Sequence, residues 1–413
     1  MNRHLSIGLF GLFGSRNIGN EATLKAAIQI FRRELPQADL QCFCGWPESI
    51  GPEYNIPALR FTAASWKSLP VRAVDRLLFR WPTRIRNFFW AWRCVRQVDV
   101  LIIPGTGAFD DFGESPGGFP SLIYTWALAA RLARRPLMIV SVGAGPIVHS
   151  LSRMMILWVA RSAIFRSYRD EISKSFMASI GLDTTADQVS SDLVFELDLL
   201  QGRSEVTLHG TGLNIGVGLM TYRGWRKNNR NGGAILEKYV DQMEEFIVWL
   251  VEHGHNVFLL TGEDSDASTV ERARVAAANR IGPELAHRIT ALPAENLHDL
   301  ARHMSMMDLV VATRYHNVVC ALMCCVPSIS IGYAKKNDAV MTEFHLDDYC
   351  QQIGQLDLDL LKSQVERIAE DLPGCRILLA NRLQDVRKRM NTQYGDVIGI
   401  LDRVAERSRT EWR

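Results

Sequence analysis

Short, near-continuously apolar runs recur along this chain, and each gives way to a stretch with helical periodicity. A run of that length with no polar alternation reads as a strand buried on both faces. Such strands belong to parallel sheets covered by helices on either side. The first series is HLSIGLFGLF (4–13), DLQCFCGW (39–46), DVLIIPG (99–105), PLMIVSVGAG (136–145) and AIFRSY (163–168). Helical patterns such as NEATLKAAIQIFRREL (20–35) and SLIYTWALAARLAR (121–134) lie between them. After a polar stretch near 198–210 the alternation restarts with TGLNIGVGLM (211–220), HNVFLLTG (255–262), RITAL (288–292), DLVVAT (308–313) and PSISIGY (327–333). Its longest helix is expected over 234–252.

The alternation predicts an α/β fold of two Rossmann-like parallel-sheet domains facing a cleft, over 1–200 and 208–376. A length of 413 residues supports that division, since it exceeds what one core accommodates. An Arg-rich amphipathic helix over 377–413 follows and is expected to cross the domain junction. In open α/β sheets ligands sit beyond the carboxyl ends of the strands, so residues there are the candidates for function.

Charge and cysteine content remove several function classes. Lys and Arg total 47 against 45 for Asp and Glu, so no nucleic-acid partner is expected. The eight cysteines form no recurring C-x-x-C pairs, and Cys42 and Cys44 read as packing residues of one strand. Neither a disulfide framework nor a metal site is expected. No uninterrupted run of 18 apolar residues occurs, and the apolar N-terminus reads as a core strand rather than a leader. The expected location is cytoplasmic.

One segment breaks the rhythm. Residues 71–97 interleave seven arginines with Phe79, Trp81, Phe88, Phe89, Trp90 and Trp92, and read as two short helices parted at Pro82. Such a basic, aromatic pair suits peripheral contact with a membrane surface, or it caps the sheet with snorkelling arginines.

The strand ends carry the candidate chemistry. GLFGSRNIGNEA supplies Gly11, Gly14, Asn17, Gly19, Asn20 and Glu21, with Asn20 read as the cap of the following helix. Its glycine spacing fits neither a dinucleotide fingerprint nor a P-loop. PGTGAFDD adds Gly105, Gly107, Asp110 and Asp111, and SVGAGPIVH adds Gly143, Gly145 and His149. Three glycine-bearing strand ends predict a floor where backbone meets a bulky ligand, with an aspartate to bind hydroxyls. Arg166 and Arg169 flank another strand end, placed either to grip an anion or to pair with a carboxylate. Arg314 and His316 stand where DLVVAT meets a helix start, and Lys335 and Lys336 follow PSISIGY. Arginine, imidazole and helix N-terminus together make an anion site, and the histidine adds a group that can carry a proton.

Taken as an ordered series, these elements resemble the polysaccharide pyruvyl transferase family. GSRNIGNEA, PGTGAF and SVGAGPI match its glycine-rich loops, and FRSYRDEIS its Arg-Asp-x-x-Ser element. SSDLVF keeps Asp192 of an Asp-Pro-Ala-Phe element, and ATRYHNVVCALMCCVPSISIGYAKKN matches a Ser-Arg-Leu-His block. Asn20 replaces an aspartate usual in the family. The resemblance implies a GT-B-like fold, phosphoenolpyruvate as donor, no further cofactor, and a sugar of a glycan as acceptor, lipid-linked or not. It implies Arg314, His316 and Arg166 or Arg169 as donor ligands, with Lys335 or Lys336 neutralising charge. His316 would be the acid, and Asp110, Asp111 or Asp192 would accept a proton. Two other readings compete: a nucleotide-sugar glycosyltransferase, with Glu263 and Asp264 near a ribose, and a non-catalytic glycan-binding homologue.

Overall fold

The computed structural model describes residues 4–15, 17–66, 68–78, 80–112, 114–199, 212–225 and 229–410. Phe79 and nearly all of the polar stretch expected near 198–210 lie outside the described residues. The chain divides into two compact units. The first comprises Met1–Ser15, Thr23–Leu193 and Met390–Arg413; the second comprises Arg16–Ala22 and Val194–Arg389.

The first unit is built on seven parallel strands, in the order β3-β2-β1-β4-β5-β6-β7. They are β1 (Ser6–Phe10), β2 (Asp39–Cys44), β3 (Ala58–Arg60), β4 (Val100–Pro104), β5 (Leu137–Val142), β6 (Phe165–Tyr168) and β7 (Gln188–Val189). Helices α1 (Ile18–Glu34), α2 (Pro47–Tyr54), α3 (Leu69–Leu77), α4 (Trp81–Val95), α5 (Phe119–Leu132), α6 (Ser150–Ser162) and α7 (Glu171–Ser179) connect them. Strands β4 and β5 are buried at every residue, and β1 and β2 are buried apart from Ser6, Asp39 and Gln41, which is why they read as apolar runs. Trp126 of α5 anchors the core, 5.1 Å from Phe10 and 4.7 Å from Phe43 between ring centroids. Its indole N–H donates to the carbonyl of Phe61. Pro82 does not part the two basic helices. It lies in the first turn of α4, where a missing N–H costs nothing, and the break falls at Leu78–Arg80 with Arg80 at φ 61°.

The second unit carries six parallel strands in the order β10-β9-β8-β11-β12-β13. They are β8 (Asn214–Gly218), β9 (Asn256–Leu260), β10 (Ile289–Leu292), β11 (Leu309–Ala312), β12 (Ser328–Gly332) and β13 (Cys350–Gln352). Its helices are α8 (Gly232–Glu252), α9 (Ala267–Ile281), α10 (Leu297–Met304), α11 (Tyr315–Met323), α12 (Lys335–Glu343) and α13 (Leu358–Glu370). The long α14 (Leu372–Thr410) gives its residues up to Arg389 to this unit and those from Met390 to the first. Each sheet reverses strand order once, at β1/β4 and at β8/β11, and such switch points open the crevices used for ligands. Among the described residues no helix is long and apolar enough to cross a membrane.

Candidate functional site

In the second unit, the carboxyl ends of β8, β9, β11 and β12 bring most of the unusual side chains together. Arg314 follows β11 in extended backbone and opens α11. Its Nε and Nη2 each lie 2.8 Å from an oxygen of Asp266, and Nη2 lies 2.8 Å from Glu263. Asp266 is fully buried and also accepts from the Thr221 N–H at 2.9 Å. The bidentate pair therefore ties the ends of β8, β9 and β11 to one another. Burial opposes the Arg314 charge, yet the hydrogen bonds and charge of Asp266, with Glu263 behind, hold its guanidinium above the usual value. Arg314, expected to neutralise a bound anion, is paired here with two carboxylates of the protein and braces the strand ends. Glu263, expected near a ribose, is one of those two partners.

His316 lies on the first turn of α11, edge-on to Tyr315 with centroids 5.0 Å apart at 89°. Its imidazole fills the space over Gly19, where an added Cβ would stand 1.9 Å from Nδ1 and 2.0 Å from Cε1. The glycine loop and the Arg-x-His motif thus meet within the same unit. Asn17, not Asn20, caps α1: its Oδ1 accepts from the Asn20 N–H at 3.2 Å, and its carbonyl from the Glu21 N–H at 3.1 Å. Asn20 and Glu21 occupy the first helical turn.

Asn317, next to His316, escaped the sequence reading. It is fully buried, and neither its Nδ2 nor its Oδ1 has a hydrogen-bond partner among the described residues. It sits between two glycines at strand ends. A Cβ on Gly218 would lie 2.7 Å from Nδ2, and one on Gly262 would lie 3.0 Å from Oδ1. A buried amide left without protein partners costs about 1–3 kcal/mol, which makes Asn317 a candidate for contact with water or a polar ligand. Asn337 on α12 repeats the theme in part. Its Nδ2 donates to the Thr313 carbonyl at 3.2 Å and Ser330 Oγ at 3.3 Å, while Oδ1 has no partner among the described residues.

Positive potential converges on the same strand ends. Helices α11 and α12 begin at the ends of β11 and β12, and neither start is closed by a side-chain cap among the described residues. Lys336 lies over the Tyr333 ring at 4.8 Å, and Tyr333 is 6.0 Å from Tyr222 between centroids. Lys335 is exposed at the first position of α12.

The remaining predicted residues lie in the first unit, and most are engaged there by the protein itself. Arg166 is held by Asp187 (Nη2 to Oδ1 2.7 Å) and donates to the carbonyls of Ala160 and Asp183. Burial works against its charge, but Asp187 more than compensates and raises it. Arg166, expected among the donor ligands, is thus ion-paired and hydrogen-bonded within the first unit. Arg169 is buried with Asp192 at 2.9 Å and Asp170 at 3.5 Å, and its guanidinium packs on Gly143, where a Cβ would stand 2.7 Å from Cζ. Gly105 and Gly145 likewise make room for Thr23 and Phe176, and Gly14, at φ 81°, for Trp46. At these four glycines, expected to let backbone meet a ligand, the space a Cβ would take is filled by the protein's own atoms. Gly107 faces Asp110, which accepts from the Phe112 N–H at 3.1 Å. Asp111 accepts from the N–H groups of Val148 and His149, fixing the loop before α6, whose N-cap is His149. Among the described residues no cluster of His, Cys, Asp or Glu could hold a metal ion.

Solved structures similar to this chain include an Anabaena protein, HepE, in complex with UDP and glucose. It is 14% identical with a TM-score of 0.58, over 96% of this chain and 100% of the other. A glycosyltransferase from Rickettsia africae is 10% identical with a TM-score of 0.59, covering 97% and 99% of the two chains. A UDP-N-acetylglucosamine 2-epimerase assigned to Listeria monocytogenes is 13% identical with a TM-score of 0.56, covering 92% and 91%. At that identity the likeness establishes the fold, two Rossmann-like domains of the GT-B class. No curated protein matches the chain. The model of one family does, across residues 17–335, a span that contains Gly19, Asn20, Arg166, Arg169, Arg314 and His316. The chain belongs to the polysaccharide pyruvyl transferase family.

Proposed function

We propose that this protein transfers the enolpyruvyl group of phosphoenolpyruvate to a sugar of a glycan or its precursor, forming a pyruvate ketal and releasing phosphate. The observation that carries the reading is Asn317: a buried amide with both polar atoms unpartnered, flanked by His316 and by two uncapped helix starts. Phosphoenolpyruvate brings a phosphate and a carboxylate. Lys336 and the amide ends of α11 and α12 suit the phosphate, and the Asn317 amide suits the carboxylate.

The reaction balances without redox chemistry, so the reading asks for no cofactor. One sugar hydroxyl proton is matched by protonation of the methylene carbon, which becomes methyl and leaves an oxocarbenium-like centre at C2. The C–O bond to phosphate breaks, two C–O bonds to the sugar form, and the second hydroxyl proton leaves with phosphate. His316 is the group placed to carry a proton, to the methylene carbon or to the departing phosphate. Arg314 acts by holding the strand ends on which His316 and Asn317 are mounted. Because the donor is a cytoplasmic metabolite, the reading places the protein in that compartment.

The test is phosphate release from phosphoenolpyruvate with a panel of nucleotide-linked and lipid-linked sugars, alongside thermal melts with phosphoenolpyruvate or UDP-sugars. At a hundredfold excess over Kd, the donor raises stability by about 2.7 kcal/mol. Stabilisation by UDP-sugars alone, with no phosphate release across the panel, would replace pyruvyl transfer with glycosyl transfer.

A further inference from the structure

The first unit carries a surface that the reaction does not use. Among the described residues 17 large apolar side chains are exposed, and eight of them fall between Leu69 and Phe89, a stretch of helices α3 and α4. Leu77 is 77% exposed and Trp81 60%. Arg72, Arg76, Arg80, Arg84 and Arg93 are exposed on the same two helices and the turn between them.

The one acidic residue from 67 to 98 is Asp75, and it is turned inward. Its Oδ1 accepts from the Thr83 N–H at 2.9 Å and its Oδ2 from Thr83 Oγ1 at 2.8 Å. Thr83 Oγ1 in turn accepts from Trp66 Nε1 at 2.9 Å, and the Arg86 guanidinium stacks on Trp66 at 3.9 Å. The acid is thereby spent on fixing α3 to α4, and the charged groups exposed on the two helices are all cations.

We propose that α3 and α4 form a docking surface for a bilayer carrying anionic headgroups. Leucine, tryptophan and phenylalanine at this exposure enter the headgroup–acyl boundary, while the arginines reach back to phosphates. A nucleic acid would satisfy the arginines but offers no apolar counterpart to Leu69, Val74, Leu77 and Ile85. A protein partner would have to supply acidic and apolar groups side by side, whereas an anionic bilayer supplies both over one surface. The proposal does not depend on pyruvyl transfer.

The experiment is co-sedimentation of the full chain with vesicles of phosphatidylcholine alone or with about one-third phosphatidylglycerol. Wild type should pellet at least about tenfold more with the anionic vesicles. The triple variant R72E/R76E/R84E and the double variant L77S/F89S should each lose about tenfold of that binding while keeping the wild-type melting temperature. Absence of pelleting, or variants that pellet like wild type, overturns the proposal. A dimer seen by sedimentation velocity without lipid and broken by L77S/F89S, with vesicle binding unchanged, would assign the face to a second copy instead.

Discussion

The imidazole of His316 rests on the backbone of Gly19, so close that any Cβ there would stand 1.9 Å from Nδ1. Gly19 lies inside α1, where alanine is ordinarily preferred by about 1 kcal/mol. Here the sign reverses, because the added methyl and the ring cannot share the space. Gly19→Ala should leave the donor-induced thermal shift within a few-fold of wild type and lower phosphate release by about a hundredfold, as expected when a proton-carrying group is displaced by an ångström. Steady-state kinetics with parallel melts would decide it. Unchanged turnover in Gly19→Ala would remove His316 from the chemistry.

The Arg314–Asp266 pair makes a second, opposite kind of prediction. Asp266 is fully buried, so Arg314→Met strands its carboxylate and should destabilise the protein by about 3–5 kcal/mol. The double variant R314M/D266L removes both charges and should recover most of that loss. Denaturant unfolding of the three proteins tests it. If Arg314→Met unfolds at the wild-type midpoint but loses donor binding, Arg314 is a ligand rather than a brace.

Asn317 should behave as a residue held for ligand binding at the expense of stability. Replacing its unpartnered amide with an apolar side chain, Asn317→Leu, relieves a cost of about 1–3 kcal/mol in the free protein. The variant should melt higher than wild type and show no thermal shift with phosphoenolpyruvate. A lower melting temperature with the shift intact would mean that the amide is satisfied within the fold.

How much of this was legible in the sequence depends on burial and on distance along the chain. Core strands such as β4 and β11 are buried at every residue, which makes them continuous apolar runs. The strands that escaped, β3, β7 and β13, lie at sheet edges, are two or three residues long, and hold one fully buried position between them. At the site, the position of Arg314 and His316 at a strand–helix junction was readable. The partner of Arg314 was not, because Asp266 lies 48 residues away and only the fold brings it near. The glycines are ambiguous in sequence for a related reason. A glycine reports that something approaches its backbone without saying whether that is a ligand or, as at Gly143, the guanidinium of Arg169. Asn317 was passed over since sequence does not reveal whether a polar residue on a buried helix finds its hydrogen bonds.

The pH dependence of stability follows from two half-buried histidines of the second unit. Burial lowers both His255 and His303 from the ordinary value of 6.5. His255 Nδ1 also accepts the Leu213 N–H at 3.2 Å, a bond that only an unprotonated nitrogen can make. The unfolded chain therefore takes up protons at a pH where the folded chain does not, so stability is complete above about 6.5 and falls as the medium is acidified below it. The melting temperature should decline from pH 7 to pH 5, and His255→Gln, whose side-chain oxygen can accept the same N–H without titrating, should flatten that decline. A slope unchanged in His255→Gln and in His303→Gln would assign the acid sensitivity to other groups.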